Sequence, residues 1–475
     1  MKTLPLFVLL FCAAVGQAKV TAQHFEPGHV PAFIGRSDIS VGTLVVTADA
    51  DEAAAAVSLA LKAPRARLPK AIRLGKIEGK LAGGKATFRV PLRKGENRFE
   101  VYPDPGTPSS LTDCLSIEGS PVRIGSVVTW PNQRIADRNR TSKNFRIPGI
   151  AETRRGTLVA TFDIRYANGR DLPGDICVGV SVSHDKGLSW SPIVTAIDYK
   201  DLPGGKGVGD PCILVDPANN RVWIMAVNSS KRTNPIWSKS GTLNPAECGQ
   251  LVLAYSDDEG KTWSKPINVT AEAKRLGDPD TASWGGVLQG PGQGIAMKDG
   301  TLVFPAQAWG NGGKAPHHGF LVYSKDHGKT WKGSKGMPFG GSESTVAEIE
   351  PGVLILNTRE GKAGERITGI TRDMGETWDP YPHTPLRQTQ CQASMLRIGR
   401  NLLFSHPASM ARRENMTLRV SKDKGKTWSE GLLYDRRPCV GYSSLCPVGS
   451  DSVGILYEGD GRYHYFLRVP LKNLR

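Results

Sequence analysis

Short apolar or alternating stretches recur along the chain, each closed by Gly, Pro, Asn or Asp. Their length, roughly four to eight residues, and their punctuation predict β-strands joined by tight turns. Before residue 124 they read TLVVTA, VSLALKA, ATFRVPL and NRFEVY, with Gly, Pro and basic breaks between them. This spacing predicts a small β-sandwich-like domain over residues 23–124. The run Ala53–Ala56 suits the start of a brief helix. Residues 126–475 continue as strands and turns, and five of those turns are the same sentence, Ser-x-Asp-x-Gly-x-Thr-Trp.

The copies are Ser183–Trp190, Ser256–Trp263, Ser324–Trp331, Thr371–Trp378 (Thr for the leading Ser) and Ser421–Trp428. Their Asp and Ser oxygens suit backbone N–H groups inside the turn, and Gly supplies a left-handed position. The Trp has the area to be buried between neighbouring sheets. The closest copies are about fifty residues apart, the length of one four-stranded propeller blade. Five boxes and one blade without a box predict an all-β, six-bladed β-propeller after the small domain. Propellers carry their sites on loops. The long segments Asp198–Gly209, Thr233–Glu247 and Asp278–Gly294 are the candidates.

Composition adds a compartment. Lys2, the apolar run Leu4–Val15 and Gly16-Gln17-Ala18 read as an export signal over residues 1–18, with Ala22 an alternative cleavage point. The run is too short for a membrane span, and no other stretch reaches eighteen apolar residues. Leu9-Leu10-Phe11-Cys12 loosely resembles a lipoprotein signal, against which bulky Phe11 argues. The expected location is exported: secreted, periplasmic or cell-surface. Removing Cys12 leaves seven cysteines without metal-ligand spacing, which suits buried thiols; Cys439 and Cys446 flank a short loop as the alternative bridge. No metal or cofactor is expected. The net charge of +16 is spread along the chain. That weakens a nucleic-acid reading and leaves an anionic substrate open.

Arg146 stands in Asn144-Phe145-Arg146-Ile147-Pro148-Gly149, ahead of the strand-like GTLVATFDIRY. Phe-Arg-Ile-Pro followed by several Asp boxes on an exported chain resembles the sialidase (neuraminidase) family of exo-acting glycoside hydrolases, from Val127 to the C-terminus. A sialic acid carries a carboxylate on its anomeric carbon, and arginine forks bind a carboxylate bidentately. The resemblance implies three: Arg146, Arg359 in LILNTREG, and Arg413 beside its neighbour Arg412. It also implies a neutral nucleophile, because a carboxylate would meet like charge at that carbon. Tyr442 in VGYSSL matches it, and Glu343 matches its proton acceptor, with Glu348 and Glu350 as competitors. Asp171 matches the acid/base, with Asp175 as rival. Arg165 and Asp210 resemble the pair that holds a sugar hydroxyl, and Glu458 the carboxylate that orients Arg146. Gln293 and Gln307 lie in a family-like stretch and are further candidates to face the ligand.

The implied activity is exo-sialidase cleavage of terminal sialic acids from mucins, glycoproteins or gangliosides, with retention. A non-catalytic sialoglycan lectin and an intramolecular trans-sialidase share much of this residue set. A protein-interaction scaffold shares only the boxes. Residues 23–124 are expected, by position and β-pattern, to bind carbohydrate or to pack against the propeller, and nothing in them picks out a site.

Overall fold

The computed structural model describes residues 18–27, 42–62, 71–103, 116–117, 120–121, 126–230, 234–359, 364–382, 386–459 and 462–474. The export signal, Cys12 and Cys114 lie outside these residues, apart from Ala18. The chain divides into two compact units between residues 123 and 124.

In the first unit nine strands form one continuous hydrogen-bonded ladder. Lys85–Leu92 alternates strictly, burying Ala86, Phe88, Val90 and Leu92 and exposing the residues between. Its partner Glu52–Lys62 buries Ala55, Val57, Leu59 and Leu61 in the same way. The run Ala53–Ala56 is therefore strand, not helix. Period-two burial and ladder pairing outweigh the helix preference of alanine, which is only a weak prior. Gln23, on the first strand of the ladder, donates to the carbonyl of Ser58, on the seventh, at 2.6 Å. The ladder thus curls over its apolar face into a sandwich-like form.

The second unit is a six-bladed β-propeller. Its innermost strands are Asn144–Glu152, Gly205–Asp216, Trp284–Gln289, Ser344–Glu350, Ser394–Ile398 and Ser443–Val448. Each leads outward through antiparallel neighbours to a four-stranded path, with a short extra strand on the second and third blades. The sixth blade takes its outermost strand, Ser126–Thr129, from the other end of the unit, where it pairs with His464–Pro470. That pairing closes the ring and removes an open sheet edge.

All five boxes join the third strand of a blade to the fourth. In every copy the Gly N–H donates to the leading hydroxyl at 2.8 Å. In four copies the box Asp accepts from the hydroxyl of the Thr directly before the Trp, Thr262, Thr330, Thr377 and Thr427, at 2.6 Å. The left-handed backbone extends beyond the expected Gly: Lys186, Glu259, His327, Met374 and Lys424, each just before it, have φ of 58°–64°. Trp331 packs edge-on against Trp223 of the preceding blade, and Trp190 meets Phe466 of the sixth. Strand alternation puts these turns at one end of the propeller. The starts of the inner strands and the second-to-third connections lie at the other.

Candidate active site

That other end holds a cleft of ≈ 560 Å³ lined by Arg146, Asp171, Asp210, Glu343, Arg359, Arg413 and Tyr442, contributed by all blades but the third, which adds Gln307 and Trp309. Arg146 sits where the first inner strand breaks register between Arg146 and Gly149, with Ile147 at φ 62°. Glu458, at the end of Ser452–Glu458, is 1% exposed and accepts from Arg146 Nε at 2.6 Å and the Ile147 N–H at 2.8 Å. Its other oxygen accepts from the Tyr442 N–H at 3.2 Å. Burial pushes the Glu458 carboxyl up, but Arg146 and these donors outweigh it and hold it below the usual range. One carboxylate thereby fixes both an arginine and the turn that presents Tyr442.

Glu343 and Arg359 face each other across the hairpin of Ser344–Glu350 and Val353–Thr358, one step beyond the Ser344–Thr358 pair. Sixteen residues of separation are what that hairpin requires. Arg359 Nη1 donates to Glu343 Oε2 at 2.7 Å and to Tyr442 Oη at 3.1 Å. The Tyr442 hydroxyl donates to Glu343 Oε1 in a very short hydrogen bond. The guanidinium carbons of Arg146 and Arg413 lie 5.2 Å and 5.4 Å from the centre of the Tyr442 ring. Burial and the Glu343 carboxylate push the Tyr442 phenol well above its ordinary range, against the pull of Arg359 and Arg146. The phenol is neutral at rest, beside a base in contact.

Asp171 occupies the loop between Leu158–Arg165 and Ile176–Ser183, with its side chain 71% exposed in the cleft. Its Oδ1 lies 2.8 Å from Arg165 Nη1 and 3.9 Å from Arg146 Nη1. Arg165 itself, expected to grip a sugar, lies behind the cleft wall with its side chain 1% exposed. Its donors go to Asp163, Asp171 and the carbonyl of Gly169. Asp210 lies on the cleft wall at φ 56°. Burial, then the carboxylates of Asp163 and Asp171, drive its carboxyl well above the usual range despite Arg165. Asp163 was not among the residues singled out by sequence. An Asp inside the wholly buried strand Leu158–Arg165 is itself the signal, because buried carboxylates are almost always paired.

Arg413 is anchored by the carbonyls of Gln390 and Val440, while Arg412 turns out to an ion pair with Glu414. Asp175 is held by Arg140, and Glu348 by the backbone N–H groups of Lys298 and Gly352, so neither rival joins the cleft. Glu350 pairs with Lys424. Gln293 is a correction. It bonds Met395, Ser394 and Ser444 near the propeller axis and lies away from the cleft, whereas Gln307 lines it and accepts from Trp309 Nε1 at 2.9 Å. Of the three long segments, the second supplies Asn234, Pro235 and Ile236 to the wall, the third supplies Leu288, and the first leads into Asp210. Cys439 and Cys446 are both free thiols.

Comparison with known proteins matches residues 156–457 to the family described as BNR repeat-like domain. The chain is 40% identical over 383 residues to a sialidase of Bacteroides fragilis, covering 77% of this chain and 68% of that protein. Among solved structures it superposes on the Hadza microbial sialidase Hz136 with a TM-score of 0.69 at 30% identity, covering 95% of this chain and 100% of that one. It also superposes on a Trypanosoma rangeli sialidase in complex with 2,3-difluorosialic acid, a covalent intermediate, with a TM-score of 0.57 at 25% identity, covering 72% of this chain and 56% of that one. Propeller, boxes, arginine-lined cleft and these relatives agree: the chain belongs to the sialidase family and is an exo-α-sialidase, a glycoside hydrolase.

Proposed function

We propose that this sialidase works with retention through a covalent intermediate on Tyr442. The observation that carries the reading is the contact of the Tyr442 hydroxyl with Glu343 beneath Arg359. Arg146, Arg359 and Arg413 bind the sugar carboxylate. Asp171 protonates the departing glycosidic oxygen. Glu343 takes the phenolic proton as Tyr442 captures the oxocarbenium-like centre, so that no full negative charge approaches the sugar carboxylate. Water then attacks the same centre with Asp171 as base, and the proton on Glu343 returns to the departing tyrosine. Asp210, favoured in its protonated form by burial, serves as a hydrogen-bonding partner of a ring hydroxyl. Arg165 holds Asp171, and Glu458 holds Arg146.

Sialylated glycans are the substrate class; mucins, glycoproteins and gangliosides are the candidates within it. Export rests on the signal-like first residues, and no helix among the described residues is long and apolar enough to cross a membrane. The T. rangeli covalent complex supports the trapped-sugar mechanism.

The test is turnover of an aryl α-sialoside, followed by mass analysis after a 2,3-difluorosialic acid pulse. Wild type should acquire one sugar on the peptide bearing Tyr442, and Tyr442→Phe should lose turnover by about a thousand-fold or more. A label on another residue, or none during turnover, overturns the assignment. NMR of the first-formed sugar reads retention and separates hydrolysis from an anhydro product.

A further inference from the structure

Two buried carboxylates behind the cleft are built alike. Glu458 accepts from Arg146 and from the N–H of Ile147, a non-glycine residue in left-handed backbone. Asp163, fully buried, accepts from Arg165 Nε at 3.0 Å and Nη2 at 2.8 Å on Oδ2, and from the Asp210 N–H at 2.8 Å on Oδ1. Asp210 is likewise left-handed. Burial raises the Asp163 carboxyl above its ordinary range, while Arg165 and the Asp210 N–H pull it down; three N–H donors converge on it, an arrangement suited to an acceptor-only, ionised carboxylate. The remaining arm of Arg165 reaches Asp171 at 2.8 Å.

We propose that Asp163 is a positioning residue that sets the reactivity of Asp171 through Arg165 while holding the turn that presents Asp210. The proposal rests on the reading of Asp171 as general acid and base. Arg165 and Arg146 lie beside Asp171, and Asp210 and Asp163 are the neighbouring carboxylates. Arg462 packs against Gly169 of the same loop, and His464 lies within the field of Arg165. Among these groups Asp163 alone neutralises Arg165 from the side away from the cleft. With that negative charge present, Arg165 holds Asp171 in place while presenting less net positive charge to it. Removing the charge leaves Arg165 to bind Asp171 as an anion. The pH above which general-acid catalysis fails then falls.

The experiment compares Asp163→Asn, Arg165→Gln and Asp171→Ala with wild type on two substrates. One is an aryl α-sialoside, whose leaving group needs little protonation; the other is an α-sialyl-galactoside, whose leaving group needs it. Asp163→Asn should lose at least about ten-fold more kcat/KM on the galactoside than on the aryl substrate. The alkaline limb of its galactoside profile should move down by about one pH unit, and that of Arg165→Gln should move up. Equal losses on both substrates with an unmoved limb would overturn the proposal, since a merely structural role gives that result. If Asp163→Asn shows no cooperative unfolding transition, the limb of Arg165→Gln decides: a rise supports the proposal and an unmoved limb refutes it. If Asp171→Ala loses equally on both substrates, the general-acid reading itself fails and takes the proposal with it. A preserved leaving-group effect in Asp171→Ala without one in Asp163→Asn sinks the proposal alone.

Discussion

Tyr442 owes its chemistry to the groups around it: a carboxylate at its hydroxyl, a guanidinium on the same oxygen, and two more beside its ring. In the proposed mechanism burial alone would leave this phenol a poor nucleophile, and the paired carboxylate is what makes it usable. The same balance acts on His464, whose Nδ1 lies 3.0 Å from Thr129 Oγ1. Burial lowers its pKa from 6.5 to about 4, against the pull of Glu458. The folded form is therefore neutral where the unfolded chain binds a proton. Stability contributed by His464 is present above pH 6.5 and is lost as the pH falls towards 4. The full effect is of order 3 kcal/mol. His464→Gln should flatten the loss of unfolding free energy across that window, as measured by urea denaturation at pH 7 and pH 4.5. An unchanged slope would show that His464 does not titrate on unfolding. That Arg146, Arg359, Arg413, Tyr442, Glu343 and Asp171 belong to one cleft was legible at this scale because short motifs surround each. Asp163 and the burial of Arg165 were not, since one strand reads the same whether its polar residue faces ligand or neighbour.

At the scale of elements, the boxes are self-contained. Each satisfies its own turn with hydrogen bonds spanning two to four residues, and so could be read from eight letters. Less legible was the left-handed residue before each Gly, which lies in the turn closed by the Gly N–H on the leading hydroxyl. The alanine run in Glu52–Lys62 likewise took its conformation from its partner strand. The box hydrogen bonds lie at the end of the strands away from the cleft. Asp326→Ala should accordingly cost roughly 1–2 kcal/mol, the usual worth of a lost turn-capping carboxylate. Turnover and KM on an aryl sialoside should stay within about two-fold, as expected for surface changes remote from a site. A large kinetic change with little loss of stability would contradict this division between scaffold turns and site loops.

For the molecule as a whole, the net charge of +16 acts on association more than on the bound state. Raising salt should lower kcat/KM more steeply for a densely sialylated mucin than for a single aryl sialoside, because a polyanion engages many surface cations at once. Parallel salt slopes for the two substrates would place all the charge recognition in the cleft. The sequence alone determined the strand-and-turn pattern, the number of blades and which charged and phenolic residues to look for in a site, because those are written in repeats and motifs of a few residues. Only the tertiary structure decided the rest. Tyr442 meets Glu343 across 99 residues and Arg146 meets Glu458 across 312, and both depend on ring closure by Ser126–Thr129 and on strand register. Gln293 was drawn to the axis and Arg165 behind the wall for the same reason: in a closed ring, which face a side chain meets is set by its neighbouring blades.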